Sequence, residues 1–347
     1  MLTAELENRI KILRNTLGQE KISALLITNP KNVLYLTGKD SGSVLITKNS
    51  EELWVKDFYR EIYSDFYRQN SYPLEIFHGD RDSFIRYVKR KKFKNLWIEN
   101  ISVESFKTLK KELKTNLRIT DILREIRAVK SKYEIEQLIK SANVAKKAMR
   151  KAYDVVKEGV KETDAIAEIE AVIRKLGSEE PPFGDGALLS SGKDSANIHA
   201  IPKMKKIEKN SSVVVDLGAK INGYYSDMTR TIKVGNLNVK DEKIFEFVKD
   251  LEMIVIDKIG KGMNAKTLHK FADSEIGKMG YKFHHFLGHG VGLEVHELPN
   301  FSPDSEDVLK SGMVFTIEPG IYIPNKFGVR FEDMMLLDKN KVRILTR

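Results

Sequence analysis

Apolar and polar positions divide the chain into two differently patterned parts. From residue 22 to about residue 122, short β-rich runs (ALLIT, SVLIT, ELWVKD, LEIF, NLWIEN) alternate with helix-like stretches over 83–92 and 103–114. Strands alternating with helices predict an α/β domain. Next, Ser131 and Glu134 form an S-x-x-E capping box ahead of an apolar stripe through Ile135, Leu138, Ile139, Ala142, Ala145 and Met149. That pattern predicts a long helix ending near Gly159. A second helix is predicted over 163–175, stopped by Gly177. Beyond Pro181-Pro182 the pattern changes to strands and Gly-rich turns. The boundary is placed just before the capped helix, giving domains 1–124 and 125–347.

Between 212 and 235 two β-rich runs flank Asn222-Gly223, the dipeptide that most strongly signals a two-residue hairpin turn. Such a turn pairs Ile221 with Tyr224. Counting outward then sets Asp216 opposite Thr229 and puts Asp227 on the same face as Asp216, as its diagonal neighbour. Two carboxylates on one face repel unless a cation lies between them. A solvent-facing acidic hairpin would show the same pair.

Composition narrows the chemistry. A length of 347 residues suits two domains, and 41% hydrophobic with 31% charged residues reads as globular. There is no cysteine, which excludes disulfides, thiolate zinc sites and a cysteine nucleophile, so a metal must sit on oxygen and imidazole. The net charge of +10 comes from lysines in short runs interleaved with apolar positions, as at 89–92 and 203–206. These read as solvated faces, and no nucleic-acid partner is expected. The segment MLTAELENRIKILRN lacks the apolar core of a secretory signal. No apolar run approaches the roughly 18 residues of a membrane span. A cytoplasmic protein without a membrane partner is expected.

Four of the seven histidines lie between residues 284 and 296. Glycines at 288 and 290 flank His289 and are expected to let the backbone approach a ligand, leaving the imidazole open. His284 reads as a surface or packing residue. Glu318 and Glu332 each end or interrupt an apolar run, and a buried carboxylate needs a cation; Arg330 could neutralise one of them. Asp216, Asp227, His289, Glu318 and Glu332 together make an oxygen-rich donor set. Such a set suits Mn²⁺, Co²⁺, Fe²⁺ or Zn²⁺ in an open catalytic site, and four carboxylates carry enough charge for two divalent ions.

Several stretches resemble the two-domain pita-bread metallopeptidases that include Xaa-Pro dipeptidase and Xaa-Pro aminopeptidase. They are REIRAVKSKYEIEQL from Arg124, Asn197-Ile198-His199-Ala200, DLGAKINGYYSDMTRT, GHGVGLEVHE, FTIEPGIYIP and GVRFED. The resemblance implies a ribonuclease-H-like α/β N-terminal domain and an α+β pita-bread catalytic domain, pseudo-twofold and cupped by helices. It places the metal ligands on the same five residues, with two divalent ions per subunit, most readily Mn²⁺ or Co²⁺. His199 and His296 are implied to contact substrate, His296 stabilising the tetrahedral intermediate, and Glu318 to serve as ligand and proton shuttle. His285, Tyr322 and Arg330 match positions that line the cleft or orient ligands, as does Thr229. The implied activity is hydrolysis of the Xaa-Pro bond in dipeptides or short peptides by a homodimer. In several dipeptidase relatives an arginine follows the HE-x-P motif, where this chain has Asn300. A methionine aminopeptidase shares the catalytic fold but not this N-terminal domain. A non-catalytic pita-bread binding protein would not need the full donor set.

Overall fold

A computed structural model describes residues 2–69 and 75–347, and the chain divides into two compact units, Met1–Ile126 and Arg127–Arg347. Leu74, which opens the predicted LEIF run, lies outside the described residues. The division falls within the short helix Ile122–Ala128.

In the first unit one sheet runs in the order Glu75–His78, Glu51–Val55, Ser43–Thr47, Ala24–Ile27, Asn95–Ile98, Asn116–Ile119. Ser43–Thr47 is antiparallel to both neighbours and the other pairings are parallel. Strands covered on both faces read as unbroken apolar runs, and Ala24–Ile27 is buried throughout. The predicted helices at 83–92 and 103–114 are Arg81–Arg90 and Val103–Leu113. Phe84, Ile85 and Val88 of the first pack on Leu26, Trp54 and Leu96. The helix Leu2–Gln19 was not predicted, although Leu6, Ile10, Leu13 and Leu17 recur at helical spacing and are buried.

The second unit opens on the helix Lys132–Val155. Its capping box is formed: Glu134 N donates to Ser131 Oγ (3.2 Å) and Ser131 N to Glu134 Oε2 (3.0 Å). The helix stops at Val155, one turn short of the predicted end, and Gly159 instead takes a left-handed turn at φ 81°. With Glu162–Lys175 it covers a three-stranded sheet of Leu188–Ser191, Ser211–Ile221 and Tyr224–Val234. Ala145, Ala148, Ile169, Val213, Val215 and Ile232 share that core, each large side chain contributing about 1.5–3 kcal/mol of burial. Asn222 and Gly223 sit at φ 50° and 84°, as a primed two-residue turn requires. The register is Ile221 opposite Tyr224, Asp216 opposite Thr229 and Gly218 opposite Asp227, which sets both aspartates on one face.

A second helix pair, Val239–Lys258 and Ala265–Lys278, packs on the remaining strands. These are a five-stranded antiparallel sheet (Glu297–Asn300, His289–Gly290, Val314–Ile317, Asp333–Asp338, Lys341–Ile344) and the hairpin Gly320–Ile323 with Phe327–Arg330. Phe245, Val248, Leu251, Phe315, Ile317 and Met335 belong to this core. Neither helix was predicted; both begin at asparagine caps, Asn238 and Asn264. Two helix pairs over two sets of antiparallel strands make the pita-bread arrangement. The halves meet where Thr229 pairs with Glu332.

Candidate metal centre

A cavity of about 680 Å³ lies among these strands, and Asp216, Asp227, His289, Glu318 and Glu332 all line it. The aspartates come from the long hairpin. Glu318 follows the strand Val314–Ile317, and Glu332 stands between Phe327–Arg330 and Asp333–Asp338. Donor atoms of Asp227, His289 and Glu332 lie within 4.8 Å of one another. His289 Nε2 is 3.6 Å from both Asp227 Oδ2 and Glu318 Oε1.

Two glycines make the approach of His289 possible, for a reason the sequence did not show. A Cβ on Gly288 would collide with the Thr316 carbonyl, and one on Gly290 with that of Leu298. They admit neighbouring strands rather than a ligand. The backbone N–H of His289 donates to Thr316 Oγ1 (3.2 Å) and its Nδ1 meets the Gly290 carbonyl (3.2 Å). Burial pulls its pKa down to about 3, with His296 adding to the effect. The imidazole is therefore neutral, and with Nδ1 carrying the proton its Nε2 lone pair faces the acids.

The carboxylates behave as charges packed too closely. Burial, then Glu332, Asp216 and Glu318, push Asp227 well above the usual carboxylate range. Glu332 is raised likewise by burial and then by Glu318 and Asp216. Burial drives Glu318 up to about 8 against the opposing pull of Arg330. Thr229 Oγ1 donates to Glu332 Oε2 (2.7 Å). Arg330 Nη2 donates to Asp216 Oδ2 (2.7 Å), so its ion-pair partner is an aspartate and not one of the glutamates. One guanidinium answers only part of four carboxylates. Asp216 Oδ1 and Asp227 Oδ1 remain buried without a partner, a costly state that a divalent cation relieves. The donor set fits such ions by its chemistry, hard oxygens with one imidazole.

Around this set, His199, His285, His296, Asn300 and Arg330 line the same cavity. His296 packs against His289, ring centroids 4.2 Å apart, and burial lowers its pKa. Tyr322 is buried outside the lining residues and works through others. Arg330 Nη1 donates to its hydroxyl (3.0 Å), which lies 3.1 Å from His285 Nε2, while His285 Nδ1 meets the Phe286 carbonyl (2.8 Å). Donors and acceptors match only if Nδ1 carries the His285 proton and the hydroxyl donates to Nε2. Burial holds that histidine down to about 3. His284 is exposed and outside the cavity. Sequence reasoning missed Phe183 and Asp185, which also line it. Phe183 occupies a left-handed φ of 56°, and its only sequence signal is the Pro-Pro-Phe-Gly-Asp-Gly turn.

The chain matches two family models, metallopeptidase family M24 over residues 136–339 and the creatinase/prolidase N-terminal domain over 9–129. It is 37% identical over 350 residues to a Xaa-Pro dipeptidase of Pyrococcus horikoshii, covering 99% of this chain and 97% of that one. The solved prolidase of Pyrococcus horikoshii superposes with a TM-score of 0.90 at 36% identity, over 98% of both chains. An X-Pro aminopeptidase from Thermotoga maritima gives a TM-score of 0.85 at 28% identity over 97% of both.

Proposed function

The chain belongs to metallopeptidase family M24, and from that premise we propose that it is a metal-dependent hydrolase of the Xaa-Pro bond at the N-terminus of dipeptides or short peptides. The observation that carries the reading is the convergence of four carboxylates and one neutral imidazole on a single cavity. Asp216, Asp227, His289, Glu318 and Glu332 hold two divalent ions, Mn²⁺ or Co²⁺ by preference, with Zn²⁺ or Fe²⁺ as alternatives. Bound there, such ions supply Lewis acidity and a water acidified towards neutral pH.

The chain's own residues do the rest. Glu318 takes a proton from the attacking water and delivers it to the departing proline nitrogen. His296, neutral because it is buried, donates its N–H to the oxygen that gains charge; a preorganised donor of this kind contributes about 3–4 kcal/mol. His199 holds the scissile end of the substrate. Arg330, braced by Tyr322 and Asp216, and His285 shape the cleft wall. Phe183, Leu188 and Phe286 add apolar lining for the proline ring and its neighbour. Residues 125–347 carry the chemistry, in a cytoplasmic homodimer. No helix among the described residues is long and apolar enough to cross a membrane.

Substrate length turns on Asn300. It lines the cavity with a neutral amide, whereas a dipeptide presents a free carboxylate that an arginine fork would pair at both oxygens. Both Xaa-Pro and Xaa-Pro-Yaa peptides should therefore be cleaved. The test is metal analysis of the purified protein together with kcat/KM for matched peptides supplied with Mn²⁺, Co²⁺ or Zn²⁺ separately. Stoichiometric metal and hydrolysis of both lengths are expected, and Asn300→Arg should shift the ratio towards dipeptides. Absence of stoichiometric metal and of hydrolysis overturns the reading. A dipeptide preference above about a hundredfold overturns the assignment of Asn300.

A further inference from the structure

A second cluster of buried charge lies beside the cavity without lining it. Arg127 Nη2 donates to Glu294 Oε2 (2.8 Å) and to Glu297 Oε1, and Lys130 Nζ donates to Glu297 Oε2 (3.0 Å). The side chains of Arg127, Lys130 and Glu297 are 4%, 0% and 3% exposed. Glu297 also accepts from the backbone N–H of Glu294 (3.1 Å). One carboxylate thus closes the loop 294–297 on itself and anchors it to two cations that open the second unit.

Between the two glutamates lie only Val295 and His296. The loop is held from its other side too. Gly292 N donates to the Glu294 carbonyl (3.0 Å), Tyr225 N donates to the Gly292 carbonyl (2.9 Å), and Glu297 pairs in register with Gly290. A Cβ on Gly292 would strike the Glu297 carboxylate, so the acid rests directly on the loop backbone. Val295 and His296 both line the cavity, and His296 is the polar one, its ring packed against His289.

Stability alone does not explain such a cluster. Buried ion groups recover little more than their desolvation cost, and well-packed apolar side chains of similar volume often serve as well. What the charges add is direction: a carboxylate held at one oxygen by a guanidinium and at the other by an ammonium fixes where the loop carrying it must lie. We propose that Arg127 and Lys130 are positioning residues for the peptidase reaction, acting through Glu297 to set the His296 imidazole at the distance and angle its oxyanion contact requires. The inference rests on the function proposed above. Neither cation lines the cavity.

The test uses the full chain saturated with Mn²⁺ and a Xaa-Pro peptide, and compares Arg127→Met, Arg127→Lys, Lys130→Met, Glu297→Gln and the double variant Arg127→Met/Glu297→Gln. Arg127→Met should lower kcat about tenfold to a hundredfold, the scale of a misplacement near 1 Å. Metal content should stay at the parent level and KM within about threefold, with Arg127→Lys recovering part of kcat. Because the residues act as one unit, the double variant should lose no more than the worse single one. Turnover per folded, metal-loaded site within about twofold of the parent, or losses that multiply in the double variant, would overturn the proposal. Should Arg127→Met not fold, Lys130→Met decides by the same criteria, since it leaves the Arg127–Glu297 contact in place. If the parent cleaves no Xaa-Pro peptide, the functional reading fails separately. The ¹H–¹⁵N imidazole spectrum of the metal-free protein then decides this inference: displaced His296 signals in the variants support it, and unmoved ones refute it.

Discussion

Among the places where the catalytic unit buries acid, two respond in opposite directions. In the cavity Glu318 is driven up to about 8. A short distance along the chain Glu297, also buried, is drawn down to about 2, where Lys130 and Arg127 outweigh the burial that alone would raise it. Burial is common to both, so it cannot be the deciding variable. What differs is whether a protein cation answers each carboxylate. Around Glu297 the chain supplies its own; around Asp227, Glu318 and Glu332 it leaves most of the charge for something else to balance. An internally neutralised cluster orients a loop, and an unbalanced one takes up ions.

Removing an acid from the unbalanced set should break the contrast most severely. Glu318→Gln takes away a proposed ligand charge and the proton carrier together, so turnover should fall by at least about a thousandfold, ~4 kcal/mol in the barrier, with metal content also reduced. Steady-state kinetics with metal analysis checks it; activity within about tenfold of the parent would sink the assignment. His296 stands between the two clusters and separates chemistry from binding. His296→Ala should lower kcat by about a hundredfold, near 3 kcal/mol, while the metal-to-protein ratio stays constant. Loss of one ion instead would make it a ligand.

Stripping the ions should expose the cost of the unbalanced set. In excess chelator the melting temperature should fall and return on adding Mn²⁺, a free ion at a hundred times its Kd contributing about 2.7 kcal/mol. A melting curve indifferent to metal contradicts the contrast. The stabilising contribution of the balanced cluster should weaken only in acid. Glu297 has a folded pKa depressed to about 2, so its contribution is complete above the unfolded value near 4.5 and drains away as pH falls towards 2. By pH 4 the loss should be about 1 kcal/mol. Denaturant unfolding of the parent from pH 7 to pH 4 should therefore be steeper by that amount than that of Glu297→Gln.

Part of the site is legible in the sequence because its local rules are strong. Asn222-Gly223 sets a register, and the register alone brings Asp216 and Asp227 to one face. The capping box at Ser131 marks its helix start to the residue. The helix Val239–Lys258 was harder. Ile244, Val248, Leu251 and Val255 form its buried stripe, but Met253 and Ile254 interrupt the polar side and Glu252 is buried within the apolar one, which blurs the period. That Arg330 pairs with Asp216 and not with a glutamate has no local signal, because Asp216 is 114 positions away and enters from another sheet. The role of Gly288 and Gly290 was misread for a similar reason: the atoms that exclude a side chain there belong to Thr316 and Leu298. Close approaches between distant strands have no local signature.

The seam between the two helix-pair halves has a consequence for assembly. Asp216 and Asp227 belong to one half, while His289, Glu318 and Glu332 belong to the other, joined at Thr229 and Glu332. A cation gripped by that set works as a rivet through the seam, and neither half alone offers it more than a fraction of its holes. The site is therefore created only when the halves close on each other. In a refolding chain, tight uptake of metal should trail the burial of both cores, so the order of those two events records when the seam shuts.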